Sequence, residues 1–101
     1  MSKPRIDVPT EALAEFCRRN HIRKLSFFGS VLSDSFGPDS DVDVLVEFEV
    51  GHVPGLAFIR MQEELSNLFG GRDVDLVTLK FLNQRIRGKV QSEALVQYAQ
   101  G

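Results

Sequence analysis

Asp41 and Asp43 stand one residue apart in the run Ser40-Asp41-Val42-Asp43-Val44. On a strand, that spacing puts both carboxylates on one face, roughly 6.6 Å apart along the chain. Neighbouring anions repel and cost stability when nothing lies between them. A divalent cation removes the conflict, and all-oxygen donors suit Mg²⁺ or Mn²⁺. A pair of metals about 3.5–4 Å apart, sharing the two carboxylates, clamps a phosphate group. The competing reading is that both carboxylates simply face water at a strand end. Asp75, in Arg72-Asp73-Val74-Asp75-Leu76-Val77, offers a third carboxylate from a separate segment. If the two segments pair side by side, Asp75 completes a three-carboxylate cluster. In metal-assisted phosphoryl transfer, such a residue holds a metal or accepts the proton of the attacking hydroxyl. Asp73 shares a face with Asp75 and competes for the role. Asp75 is preferred because it lies deeper in the strand.

Gly29-Ser30 follows an apolar run and precedes a helix start. Glycine there lets the backbone approach a ligand closely. Free N–H groups at a helix start favour phosphate, and the Ser30 hydroxyl adds a donor. By itself Gly-Ser is also an ordinary strand-to-helix turn. Ser40 either orders its own turn or hydrogen-bonds a metal-bound water; serine commonly bonds its own backbone. Other phosphate and metal motifs fail. An EF-hand counted from Asp39 needs Gly and Glu where Val44 and Val50 stand. No Lys-Ser or Lys-Thr follows the glycine, which excludes a Walker A loop. One cysteine and two well-separated histidines, His21 and His52, argue against zinc, and both histidines read as surface residues.

These residues need elements to carry them. After a short tail over residues 1–7, Leu13, Phe16 and Cys17 recur at helical spacing, with Pro9 or Thr10 as the start and Asn20 as the end. Leu25-Ser26-Phe27-Phe28 reads as a buried strand stopped by Gly29. One or two helical turns begin residues 30–40, and Gly37-Pro38 opens a loop. Residues 41–48 alternate, with Asp41, Asp43 and Leu45 on one side and Val42, Val44 and Val46 on the other. A helical stripe of Phe58, Met61, Leu65, Leu68 and Phe69 spans residues 56–69, and Gly70-Gly71 stops it. Residues 73–78 form another strand. A helical region over 80–87 breaks near Gly88, and a last helix covers 90–98. Helix, strand, short helix, strand, helix, strand, helices: the order predicts an α/β (α+β) fold, a small mixed β-sheet flanked by helices, in one domain over 1–101.

The bulk properties narrow the class. Apolar residues make up 43% and charged residues 26%, an ordinary globular balance. The net charge of -2 supplies no positive field, so a dedicated nucleic-acid binder is disfavoured. The N-terminal segment is no signal peptide, and no stretch of about 18 apolar residues exists to span a membrane. A lone cysteine fits a reducing compartment, and the cytoplasm is expected. Apolar helix faces on a domain this small suit a homodimer or a hetero-oligomer equally.

Phe28-Gly29-Ser30, then Asp41-Val42-Asp43, resembles the signature of the polymerase-β-like nucleotidyltransferase superfamily. More closely, FFGSVLSDSFGPDSDVDVLVEF resembles the minimal nucleotidyltransferase (MNT) subgroup, with Val74-Asp75-Leu76 as the third acidic position and a fainter match to Glu93-Ala94 and Tyr98. The resemblance covers nearly the whole chain. It implies Mg²⁺ held by Asp41, Asp43 and Asp75, and a nucleoside triphosphate held by Gly29 and Ser30. It implies in-line attack on the α-phosphorus, transfer of a nucleoside monophosphate and release of pyrophosphate. MNT proteins are often antitoxins of HEPN-domain ribonuclease toxins, moving AMP from ATP to a toxin tyrosine, so a HEPN partner is implied as well. One departure stands out. Many MNT domains carry arginine near the position of Ser33; here Val31-Leu32-Ser33-Asp34 holds no basic residue, which would weaken triphosphate binding. That leaves a second reading, an antitoxin that neutralises by binding alone, and a more remote one, transfer to a nucleic acid or small molecule. Arg85, Arg87 and Lys89 are expected to be solvated helix residues. Phe27, Phe28, Phe58 and Phe69 are expected in the core. Tyr98 is left between packing and a partner interface.

Overall fold

A computed structural model describes residues 6–52 and 54–100. Most of the expected N-terminal tail lies outside the described residues. Helix α1, Thr10–Arg19, starts after Pro9 and ends at Asn20. It buries Leu13, Phe16 and Cys17, as the helical spacing predicts. Burial pushes the Cys17 thiol up to about 12, so it serves as packing. Strand β1, Ile22–Phe28, begins three residues earlier than its apolar run suggests. A single 3₁₀ turn, Gly29–Leu32, follows it. Strand β2 is Val42–Phe48, helix α2 is Ala57–Leu68 and strand β3 is Val74–Val77.

The last quarter of the chain corrects the sequence reading. A 3₁₀ turn, Leu79–Phe81, precedes helix α3, Gln84–Glu93. The Asn83 side chain accepts from the Arg85 N–H at 2.8 Å and starts α3 there. The helix runs through Gly88 instead of breaking at it; Gly lowers helix propensity without forbidding the conformation. Residues 95–99 are not helical. Leu95–Ala99 forms strand β4, antiparallel to β1. The cause is non-local: without β4, one edge of β1 would leave its N–H and C=O groups unpaired.

The four-stranded sheet has the order β3-β2-β1-β4. β1 pairs antiparallel with β2 and β4, and β2 pairs parallel with β3, so the sheet is mixed. Leu25 and Phe27 of β1 lie opposite Val46 and Val44 of β2, and Val44 lies opposite Leu76 of β3. These residues share one face and join Leu13, Phe16, Met61, Leu65 and Phe69 in the core. Phe27 meets the edge of Phe69 with ring centroids 5.4 Å apart. Tyr98 packs against the same cluster. Arg19 of α1 pairs with Glu64 of α2 on the exposed side of the two helices. By the period of two, the other face carries Ser26, Phe28, Asp43, Leu45 and Asp75. Phe28 is absent from the core cluster, contrary to expectation, because it points to this second face.

His21 follows the Asn20 cap with φ 57°, a left-handed conformation usually filled by glycine or asparagine. We predict that His21→Gly raises stability in metal-free buffer by about 1 kcal/mol, read as a higher Tm. An unchanged or lower Tm would show that the histidine side chain offsets this strain.

Candidate active site

β1 ends in Phe28, and the chain turns sharply at Gly29, whose φ is +74°. A Cβ at Gly29 would overlap the Asp43 carboxylate, with Cγ only 3.2 Å away. Glycine is therefore required twice, for its backbone angle and for the closeness of Asp43. Register explains the approach: Asp43 is the β2 residue opposite Phe28, one position before Gly29. On its other flank, Asp43 lies opposite Asp75 in the parallel β2–β3 pair. Adjacent strands stand about 4.8 Å apart, so the two carboxylates project side by side. Asp41 enters the same cluster from the loop before β2.

The electrostatics register this crowding. Asp43 is half-buried, while Asp41 and Asp75 are exposed. Burial, then the charge of Asp75, then that of Asp41 raise the Asp43 carboxyl above its ordinary value. Asp73 is not among these influences; its backbone oxygen is taken up by the Val42 N–H at 2.9 Å. The β2–β3 register thus favours Asp75 over Asp73 as the third carboxylate.

The remaining candidates separate. Ser30 sits in the 3₁₀ turn beside Gly29, and its backbone oxygen accepts from the Ser33 N–H and hydroxyl. Ser40 closes its own turn, its hydroxyl accepting from the Gly37 N–H at 2.9 Å. Ser33 bonds the Ser35 hydroxyl at 2.6 Å, so the position where arginine is usual serves the local loop. Arg85 and Lys89 are exposed on α3, as expected. Arg87 is not simply solvated: Nη2 donates to the Leu82 oxygen, and Nε is buried with no hydrogen-bond partner among the described residues.

Sequence reasoning missed Arg72. Its Nη1 donates to the Gly37 and Pro38 oxygens, at 3.1 and 3.4 Å, and its guanidinium lies 4.5 Å from the Phe36 ring centre. It ties the Asp41-bearing loop to the start of β3. The signal was faint: an arginine directly before an acidic strand, with its partners more than thirty residues away.

The donor set fits a divalent cation. Asp75 stands beside Asp43 by register, both Asp75 and Asp41 raise its carboxyl, and none of the three is neutralised by a salt bridge among the described residues. With that geometry in place, the relatives of the chain can be compared. The nucleotidyltransferase domain profile matches residues 10–97. The chain is 39% identical over 82 residues to the protein adenylyltransferase MntA of Thermococcus cleftensis, covering 80% of each protein. A solved structure assigned to the minimal nucleotidyltransferases is 36% identical, covers 85% of this chain and 86% of its own, and superposes with a TM-score of 0.71. A toxin–antitoxin structure with AMP-PNP shares the fold at a TM-score of 0.73 and 19% identity, covering 92% of this chain and 75% of its own.

The fold and the family match define a nucleotidyltransferase. The chain belongs to the nucleotidyltransferase domain family, within its minimal branch and beside the MntA adenylyltransferases.

An acid whose pKa is higher in the folded chain than in the unfolded one binds its proton more tightly when folded. Stability then falls as pH rises through the window between the unfolded and folded values, and stays lower above it. In metal-free protein, Asp43→Asn is therefore expected to be more stable than wild type at neutral pH. The difference should close as pH falls through the carboxylate range, in Tm measured against pH. An Asp43→Asn protein less stable than wild type at neutral pH would contradict this account of the cluster.

Proposed function

We propose that the protein is a protein adenylyltransferase that moves AMP from ATP to a tyrosine hydroxyl of a HEPN-domain toxin, and so acts as its antitoxin. The observation that carries this reading is the placement of Asp43 between Gly29 and Asp75. One flank of that carboxylate is open backbone and the other is a second carboxylate, which is what a metal-bound phosphate needs. Asp41, Asp43 and Asp75 would hold Mg²⁺, or Mn²⁺ in its place. That ion supplies neutralisation of the triphosphate charge. Gly29 and Ser30 bind the triphosphate, the glycine by letting the backbone come close. The tyrosine oxygen attacks the α-phosphorus in line, the bond to pyrophosphate breaks, and Asp75 takes the hydroxyl proton.

The relatives support the partner and the acceptor. The Thermococcus relative is a protein adenylyltransferase. A fold neighbour is an MNT antitoxin bound to a tri-AMPylated HEPN toxin of Shewanella oneidensis, at a TM-score of 0.64 and 19% identity. No helix among the described residues is long and apolar enough to cross a membrane. Together with the unpaired Cys17, we take the setting to be the cytoplasm. A second reading, neutralisation by binding alone, is favoured by the Ser33 loop, which bonds to itself and carries no cation.

Incubation with α-phosphate-labelled ATP, Mg²⁺ and the proposed HEPN-domain partner distinguishes the two. Wild type should label the partner, and Asp41→Ala/Asp43→Ala should lose the label and the neutralisation together. Neutralisation that survives the double substitution, with no label in either protein, would replace catalysis with simple binding.

A further inference from the structure

We propose a second metal site, for a transition ion such as Zn²⁺, built from His21, Glu49 and His52. These residues are far apart in sequence, and the sheet brings them together. β1 and β2 are antiparallel, and their far end is the Ile22–Phe48 pair. His21 precedes that pair on one strand and Glu49 follows it on the other. The Glu49 N–H donates to the His21 oxygen at 2.8 Å, which extends the ladder by one rung. The chain then doubles back through Gly51, whose φ is +85°, and the His52 N–H donates to the Glu49 oxygen at 3.1 Å. The two imidazoles stack with centroids 3.9 Å apart and planes inclined by 12°. Both histidines lie on the surface, as expected, but they are adjacent in space and not separate.

One donor atom from each residue falls within 4.8 Å of the others, and His21 Nδ1 stands 4.0 Å from Glu49 Oε2. A tetrahedral zinc centre sets neighbouring donors roughly 3.4 Å apart, given bonds of about 2.0–2.2 Å. Both imidazoles are exposed, so a ring can turn out of the stack to aim its nitrogen at a shared ion, while backbone hydrogen bonds tie Glu49 to His21 and His52. Gln100 holds the carboxylate from the C-terminal side, its amide donating to Glu49 Oε2 at 2.8 Å. Such outer hydrogen bonds orient metal ligands. Two imidazoles and one carboxylate select Zn²⁺, Cu²⁺ or Ni²⁺ over Mg²⁺, and three protein donors leave a position for water. The site differs from the carboxylate cluster in donors and in place. It lies at the other end of the β1–β2 pair, roughly 20 Å away by strand length. An ion there would clamp the β2–α2 loop onto the end of α1.

Both histidines of the chain belong to the cluster, so every imidazole signal reports on it. Untagged protein titrated with zinc chloride at neutral pH, followed by calorimetry and imidazole NMR, provides the test. One equivalent should move both histidine signals together. Affinity should fall at least about tenfold in His21→Gly and His52→Gln, and by roughly ten- to hundredfold in Gln100→Ala. Asp43→Asn/Asp75→Asn should bind as wild type does. Circular dichroism of His21→Gly and of His52→Gln distinguishes a lost zinc ligand from a lost fold. Histidine signals that stay still, or that move independently, would overturn the site. So would zinc binding that disappears with Asp43→Asn/Asp75→Asn instead.

Discussion

The Asp43 carboxylate lies against the backbone of Gly29 and beside Asp75, and the rest of the site is arranged around that contact. A half-buried carboxylate with two anionic neighbours is an unfavourable thing for a small domain to keep. The fold keeps it because the same strand, one residue either side, buries Val42 and Val44 completely. The apolar face fixes the register, and a one-residue slip would send both valines to the opposite face and Asp43 into the core. Packing on one side of β2 thereby enforces electrostatic conflict on the other. In the proposed function, a cation would relieve that conflict.

The central β1–β2 hairpin-like pair carries a different chemistry at each end. At one end, β1 leaves through Gly29 and β2 enters through Asp41 and Asp43. At the other, β1 enters through His21 and β2 leaves through Glu49 toward His52. Hard oxygen donors collect at the first and imidazoles at the second. One strand register thus sets the relative positions of both groups, while α1 and α2 hold the shared core between them. Arg72 has the parallel task in the loops, joining the segment before β2 to the segment before β3.

The legible parts of this arrangement are those written in short-range periodicity. Alternation over residues 41–48 placed Asp41 and Asp43 on the face opposite the valines, and helical spacing picked Leu13, Phe16 and Cys17. Leu95-Val96-Gln97-Tyr98 was misread because a short apolar run suits a helix or a strand, and only the open edge of β1 decides between them. The pairing of His21 with His52 was invisible for a related reason. It depends on where an antiparallel pair ends and on a turn at Gly51, neither of which sequence spacing states. Residue type left Ser40 between its own turn and a metal-bound water, and its hydroxyl accepts from the Gly37 N–H in that turn.

The account depends most directly on the closeness of Gly29 to Asp43. Mn²⁺ affinity in the presence of AMP-PNP, read from the free-ion signal by electron paramagnetic resonance, tests it in wild type and Gly29→Ala. A methyl group there must displace the Asp43 carboxylate, so affinity should fall at least about tenfold, the equivalent of 1.4 kcal/mol, while circular dichroism shows the fold retained. Unchanged Mn²⁺ affinity in a folded Gly29→Ala protein would contradict the claim that this contact positions the metal-binding carboxylate.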